Sequence, residues 1–360
     1  MAGQLYSLAL AASGQSRRQP RFGPAGTSLF VTRTPLRVSL AGGGTDLPAF
    51  FQKQYGAVLS TAIDKYVYVT LKRHDSMFGA PIRLNYSETE EVGSIDEIRN
   101  QIARECFRFL NIEPPIYMST VADIPAASGL GSSSAFAVGL LHALHAYRGE
   151  AVSAGQLAEE AAHIEVDILG RPIGKQDHYA AAFGGFNLFR FLPGGGVSVE
   201  PQHFHGGPPG AGLTRLFGHV MLFWTGITRN AAEVLTEQRD NTASQTHELL
   251  LMREHAHQLH YLFGNGYEPQ QVGRVLDACW QLKRGLASSI SNPRIDEWYR
   301  LGLAAGAWGG KLCGAGGGGF FLFFVPHDRK AGVREALAEL LEVPIQHEPQ
   351  GSRVLMPHVE

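Results

Sequence analysis

The residues best suited to chemistry lie between Pro125 and Ala135, where Ser128, Gly129, Leu130, Gly131, Ser132, Ser133 and Ser134 lead straight into an apolar segment. Glycines let backbone approach a ligand closely. A helix that starts on such a run presents N–H groups without internal partners, and its macrodipole adds partial positive charge. That combination forms a seat for a polyphosphate. The hydroxyls of Ser132, Ser133 and Ser134 can bond phosphate oxygens or ligate a hard cation such as Mg²⁺. No Walker A loop is present, because no Gly-x4-Gly-Lys-Ser/Thr occurs.

The segment resembles the second motif of the GHMP kinase family, and two further segments match that family in order. Thr34 to Asp46, containing Arg37, Gly42, Gly43, Gly44, Thr45 and Asp46, looks like the first motif, a strand running into a substrate-contacting loop. Lys311 to Phe320, with Gly314, Gly316 and Gly317, looks like the third, a glycine-rich turn near phosphates and substrate. The resemblance spans about residues 30 to 330. It implies ATP and Mg²⁺ as cofactors. Pro125 and residues Ser128 to Ser134 would then bind the nucleotide, and Ser133 and Glu165 the metal. Asp177 would be the general base, with Arg37 orienting it and Lys175 sharing that task or binding substrate phosphate. Gly43, Gly44, Thr45, Asp46, Gly316, Gly317 and Arg229 are the expected substrate contacts.

Galactokinases and mevalonate kinases carry Gly-Glu-His in the first motif, whereas this chain has Gly42, Gly43 and Gly44 followed by Thr45 and Asp46. That run, with Trp224 to Arg229, looks like the D-glycero-α-D-manno-heptose 7-phosphate 1-kinases of the family. The resemblance implies a sugar phosphate as acceptor and a 1,7-bisphosphate as product. A 7-phosphate needs a cationic seat, for which Arg229, Lys72, Arg73 and Arg83 are candidates. The alternatives are a GHMP kinase for another sugar, L-fucose-type or hexose, and a catalytically silent sugar- and ATP-sensing member.

Other patterns fail on context. Gly314, Gly316 and Gly319 satisfy Gly-x-Gly-x-x-Gly, but a dinucleotide fingerprint follows a strand and opens a helix, and here a strand follows the glycines. His255, His257 and His260 do not share one helical face. His163 and Glu165 begin a zinc-deaminase pattern that no Pro-Cys-x-x-Cys completes. No Gly-x-Ser-x-Gly elbow occurs.

The elements that must position these residues are legible in outline. Alternation predicts strands at Leu36–Leu40, Val67–Leu71 and Ile82–Tyr86. Further strands are expected at Tyr117–Ala122, Phe186–Phe191, His219–Trp224 and Phe320–Val325. Helical spacing covers Glu97–Leu110, Ala135–Tyr147, Ala154–Leu169, Asn230–Phe263, Pro269–Ser289, Arg294–Trp308 and Lys330–Leu341. Strands and helices mix without regular βαβ alternation, so the class is α+β with two domains. The family resemblance refines this to a ribosomal protein S5 domain 2-like N-terminal domain and a ferredoxin-like C-terminal domain. Residues 1–28 read as a poorly ordered extension, 29–192 as the ATP-binding domain and 213–360 as the C-terminal domain. The Gly- and Pro-rich stretch from Leu192 to Gly212 reads as the linker.

Bulk properties fit a protein that handles small molecules. The 360 residues are 44% hydrophobic and carry a net charge of −2, without the basic stripe of a nucleic-acid binder. The three cysteines, Cys106, Cys279 and Cys313, are far apart and read as reduced thiols. The apolar run Phe320–Val325 is too short to span a bilayer. The order of apolar and basic residues at the N-terminus is wrong for a secretory signal. A cytoplasmic monomer or homodimer, binding neither nucleic acid nor membrane, is the expectation.

Overall fold

The computed structural model describes residues 29–73, 79–205, 208, 210–228 and 231–355. The expected extension at 1–28 and Arg229 lie outside them. Among the described residues, twelve strands form two sheets. The larger contains β1 (Leu29–Ala41), β2 (Gly56–Arg73), β3 (Ile82–Asn85), β4 (Thr89–Val92), β5 (Ile116–Ala122), β6 (Phe186–Phe191), β7 (Val197–Pro201) and β12 (Arg353–Leu355). Its order is β12-β1-β2-β5-β3-β4, with β6 also pairing β2 and β7 pairing β6. The smaller contains β8 (Val220–Trp224), β9 (Gly309–Leu312), β10 (Phe320–Phe324) and β11 (Leu341–Glu342) in the order β11-β8-β10-β9. All pairs are antiparallel except β3 with β5.

β2 is the spine of the larger sheet. Its N-terminal half pairs β6, its C-terminal half pairs β5, and β1 runs along its other edge. The helix Ser132–Tyr147 packs across β1 and β2 and is buried nearly all round, through Ala135, Val138, Leu140, Leu141 and Leu144. Gly139 permits this approach: a Cβ there would lie 2.6 Å from Thr34 Oγ1, and Thr32 Oγ1 donates to its carbonyl at 2.8 Å. β10 is all Phe and Leu because it is the inner strand of the smaller sheet and every one of its residues is buried.

Several boundaries differ from the expectation. The Leu192–Gly212 stretch is not simply a linker, since β7 pairs with β6 inside it. The C-terminal region does not stay with the smaller sheet: β12 pairs β1, His347 bridges Ile63, and Arg33 donates to Glu348 at 3.3 Å. The long helical pattern from Asn230 resolves into Ala231–Asn241 and Thr246–Asn265. The segment after Ala162 is a π-helical turn over His163–Ile168, a departure often found beside functional sites. Among the described residues no helix is long and apolar enough to cross a membrane.

Candidate active site

The serine loop and the third glycine cluster meet backbone to backbone. A Cβ on Gly129 would stand 2.8 Å from the Cys313 carbonyl oxygen, and one on Gly314 would stand 2.4 Å from Gly129 Cα. Only glycines allow this contact, so the two clusters far apart in sequence are two walls of one cleft. Gly131, at φ +82°, caps the helix Ser132–Tyr147 in the left-handed region, and no side chain caps that end. Its first N–H groups therefore point toward the cleft with the positive end of the helix dipole.

The cavity has a volume of about 460 Å³. Arg37, Asp46, Glu165, Asp177, Gly43, Gly44, Gly129 and Gly131 to Ser134 line it. Arg37, on β1, forks onto Asp177, Nε to Oδ1 at 2.6 Å and Nη2 to Oδ2 at 2.5 Å. Its Nη1 donates to the Gly129 carbonyl at 2.7 Å. One guanidinium thus fixes both the carboxylate and the serine loop.

Glu165 rises from the π-helical turn and is fully buried. Its Oε1 accepts from Ser133 Oγ at 2.7 Å and Arg171 Nη1 at 2.6 Å, and its Oε2 lies 2.9 Å from His178 Nε2. Burial alone would raise this carboxyl, but His178, Ser133 and Arg171 together hold it below the ordinary value. Asp46 shows the opposite balance. Burial raises it, the Asp177 charge adds to that, and the N–H groups of Gly44 and Gln176 act the other way. Gly44 N–H donates to Asp46 Oδ1 at 2.9 Å, and Gln176 Nε2 donates to the same oxygen at 3.0 Å.

Two buried lysines come from the C-terminal half. Lys311 Nζ donates to the carbonyls of Ser39 at 2.8 Å and Leu40 at 3.3 Å. Lys283 donates to the Gly314 carbonyl. Burial, with the Lys311 and Arg37 charges, lowers Lys283 to about 7. Neither Lys283 nor Arg171, His178 and Gln176 was expected from sequence as a site residue. Gln176 and His178 flank Asp177, which is the one signal available; a lysine on an amphipathic helix gives none.

Several expected site residues lie elsewhere. Lys175 turns away from Asp177, and its Nζ donates to Glu159 Oε2 at 2.9 Å. Thr45 is buried in the loop, with Oγ1 donating to the carbonyls of Gly42 at 2.8 Å and Ala57 at 3.1 Å. Gly316 and Gly317 face Ile290, and Gly317 N–H donates to its carbonyl at 2.8 Å. Gly314 and Ala315 line the cavity instead. Ser128 and Leu130 bury their side chains, and Pro125 is exposed outside the cavity. Lys72, Arg73 and Arg83 do not line it either.

The donor set fits magnesium. An ionised carboxylate and a hydroxyl 2.7 Å apart stand at a helix N-terminus and open on the same cavity, a pair of hard oxygen ligands.

Family models describe what the chain is similar to. One for the N-terminal domain of GHMP kinases matches residues 97–185, and one for their C-terminal domain matches residues 268–343. The chain is 31% identical over 324 residues to the D-glycero-alpha-D-manno-heptose 7-phosphate kinase of Campylobacter jejuni, covering 85% of this chain and 92% of that one. It is 26% identical over 350 residues to the L-fucokinase/L-fucose-1-P guanylyltransferase of Bacteroides fragilis, covering 84% of this chain and 35% of that one. A solved structure of a D-glycero-D-manno-heptose 1-phosphate kinase from Bacteroides thetaiotaomicron superposes with a TM-score of 0.74 at 25% identity, covering 91% of this chain and 99% of that one.

Proposed function

This chain belongs to the GHMP kinases, phosphotransferases with an alcohol acceptor, and on that premise we propose that it phosphorylates the anomeric hydroxyl of D-glycero-α-D-manno-heptose 7-phosphate with ATP. The observation that carries this reading is the set of groups beside the Arg37–Asp177 pair. Asp46 lines the cavity there, and Ser39 Oγ and Gln176 Oε1, both buried, find no hydrogen-bond partner among the described residues. A buried polar atom left unpaired is costly. A polyhydroxylated acceptor satisfies all three at once. Of the cations that line the cavity, Arg37 is committed to Asp177, Arg171 to Glu165 and Lys311 to two carbonyls. Lys283 donates to a single carbonyl, that of Gly314, and has no carboxylate partner among the described residues; in this reading it takes the phosphate of the acceptor.

The chemistry is in-line transfer, in which positioning and charge stabilisation do most of the catalysis. N–H groups from Gly129 to Ser134 hold the β- and γ-phosphates. Asp177 accepts the proton of the acceptor hydroxyl as that oxygen attacks the γ-phosphorus. The bond from phosphorus to the bridging oxygen breaks, and ADP leaves with its electron pair. Arg37 keeps the carboxylate aimed and offsets charge as it develops. Ser133 and Glu165 would hold magnesium, which neutralises phosphate charge when bound.

Phosphorus NMR of the protein with Mg-ATP and heptose 7-phosphate tests the reading. A new anomeric phosphate resonance is expected, with the 7-phosphate resonance retained. Turnover of the dephosphorylated sugar at an equal or higher rate would reassign the acceptor to an L-fucose- or hexose-type sugar. ATP binding without any product would identify a silent sensor.

A further inference from the structure

The loop between the π-helical turn and the helix Gln176–Phe183 brings a cation onto the pair of oxygens assigned above to the metal. Arg171 Nη1 lies 2.6 Å from Glu165 Oε1 and 3.0 Å from Ser133 Oγ, while these two atoms are 2.7 Å from each other. A guanidinium N–H and a divalent cation cannot share those lone pairs, and their like charges repel at that range. Glu165 is fully buried, so a carboxylate left there with no cation beside it is strongly disfavoured. His178 holds only the second oxygen, Oε2. Something must neutralise Oε1 whenever the metal is away.

Arg171 is placed to leave as well as to stay. Its side chain is 31% exposed, against 0% for Glu165. Gly170, with φ +63° and open space around it, precedes it. Its own backbone is anchored, through its N–H on the Glu165 carbonyl at 3.0 Å. The side chain can therefore swing while its root stays fixed. The cavity it borders also holds the N-terminus of the helix Ser132–Tyr147, where nucleotide phosphates would sit.

We propose that Arg171 is a placeholder cation for the metal seat, displaced by the arriving divalent ion onto the phosphates of the nucleotide. Empty of metal, the protein keeps Glu165 charged, aimed and bonded to Ser133. Loaded with metal, it gains a phosphate-binding arginine. The same side chain therefore couples metal binding to nucleotide binding. This rests on the reading that Ser133 and Glu165 hold the metal.

Mn²⁺ binding followed by electron paramagnetic resonance, without nucleotide, tests it. Arg171→Gln removes the competitor and is expected to bind Mn²⁺ on the order of tenfold more tightly than the wild type. Arg171→Lys keeps a positive charge on a side chain one bond shorter than the one whose Nη1 touches both oxygens, and is expected between the two; it carries the test if the glutamine variant fails to fold, as judged by thermal melting. A non-hydrolysable ATP analogue is expected to bind wild type and Arg171→Gln alike without metal, and the wild type more tightly with it. Glu165→Gln is the control for the seat. If Glu165→Gln loses Mn²⁺ but removal of Arg171 leaves its affinity unchanged, the placeholder role is wrong and the seat stands. If Glu165→Gln binds Mn²⁺ as the wild type does, the seat itself is wrong and the inference goes with it. Equal analogue affinity with and without Arg171 at saturating Mn²⁺ would overturn the transfer of the guanidinium to phosphate.

Discussion

Arg37 and Asp177, 140 residues apart, meet through two parallel hydrogen bonds of 2.6 and 2.5 Å. A forked pair of this kind fixes the carboxylate plane as well as its position, which a single point charge does not. Asp177→Asn is expected to lower kcat about 10²–10⁴-fold, the usual contribution of a general base. Affinity for ATP should survive. Arg37→Lys keeps the charge and loses the fork, so kcat should fall about tenfold or more, for a loss of about 1.5–3 kcal/mol in charge-assisted bonding. Steady-state kinetics beside nucleotide titration decide both, and an Asn variant at full rate removes Asp177 as the base.

Gly314 faces Gly129 so closely that a Cβ would stand 2.4 Å from its Cα. Gly314→Ala must push the two loops apart. We expect a loss of about 1–3 kcal/mol in urea unfolding, typical of overpacking, and weaker binding of an ATP analogue. Wild-type values for both would mean the contact is slack.

Lys283 links stability to pH. Its amine falls to about 7 in the folded protein, because burial and the Lys311 and Arg37 charges disfavour the ammonium, against about 10.4 in an unfolded chain. Between these values the unfolded state binds the extra proton, so stability rises with pH. The stability this group contributes is present above about 10.4 and lost as pH falls through about 7. Lys283→Met should therefore be more stable than wild type by its widest margin below pH 7, and the margin should shrink steadily toward pH 10. Paired thermal melts across that range would show it; a constant margin would mean the lysine keeps its ordinary basicity.

Thr45 is a structural hydroxyl. It donates to the carbonyls of Gly42 and Ala57 and accepts from the Ala57 N–H at 3.0 Å. Thr45→Val should cost about 1–3 kcal/mol for the groups left unpaired, while KM for the acceptor stays put in the protein that remains folded. Thr45→Ser should recover most of the stability. A raised KM with unchanged stability would restore Thr45 to the substrate contacts.

What could be read before folding depended on whether a residue advertises its environment. The serine loop did, since consecutive Gly and Ser at a helix start have few other uses. The strands around Leu36, Val67 and Phe320 did too, through alternation or continuous apolar runs. The Arg37–Asp177 pairing did not follow from spacing; the family resemblance supplied it. Lys175 misled because it is a neighbour in sequence: at about 100° per residue, a side chain two positions before Asp177 points roughly to the opposite side. It reaches Glu159 instead. Lys283 was invisible because a lysine on an amphipathic helix reads as a solvated face, and only tertiary packing buries it. The three residues of β12 are too few to carry a period.

The return of residues 345–355 to the first sheet has a consequence for how the protein is made. Until Arg353–Leu355 leave the ribosome, the outer edge of β1 at Val31–Arg33 has no strand beside it, and bare edges invite pairing with other chains. The N-terminal half, though synthesised first, cannot complete its sheet from its own residues. A chain lacking Arg353–Leu355 would present that edge to its neighbours, so these three residues double as protection against self-association.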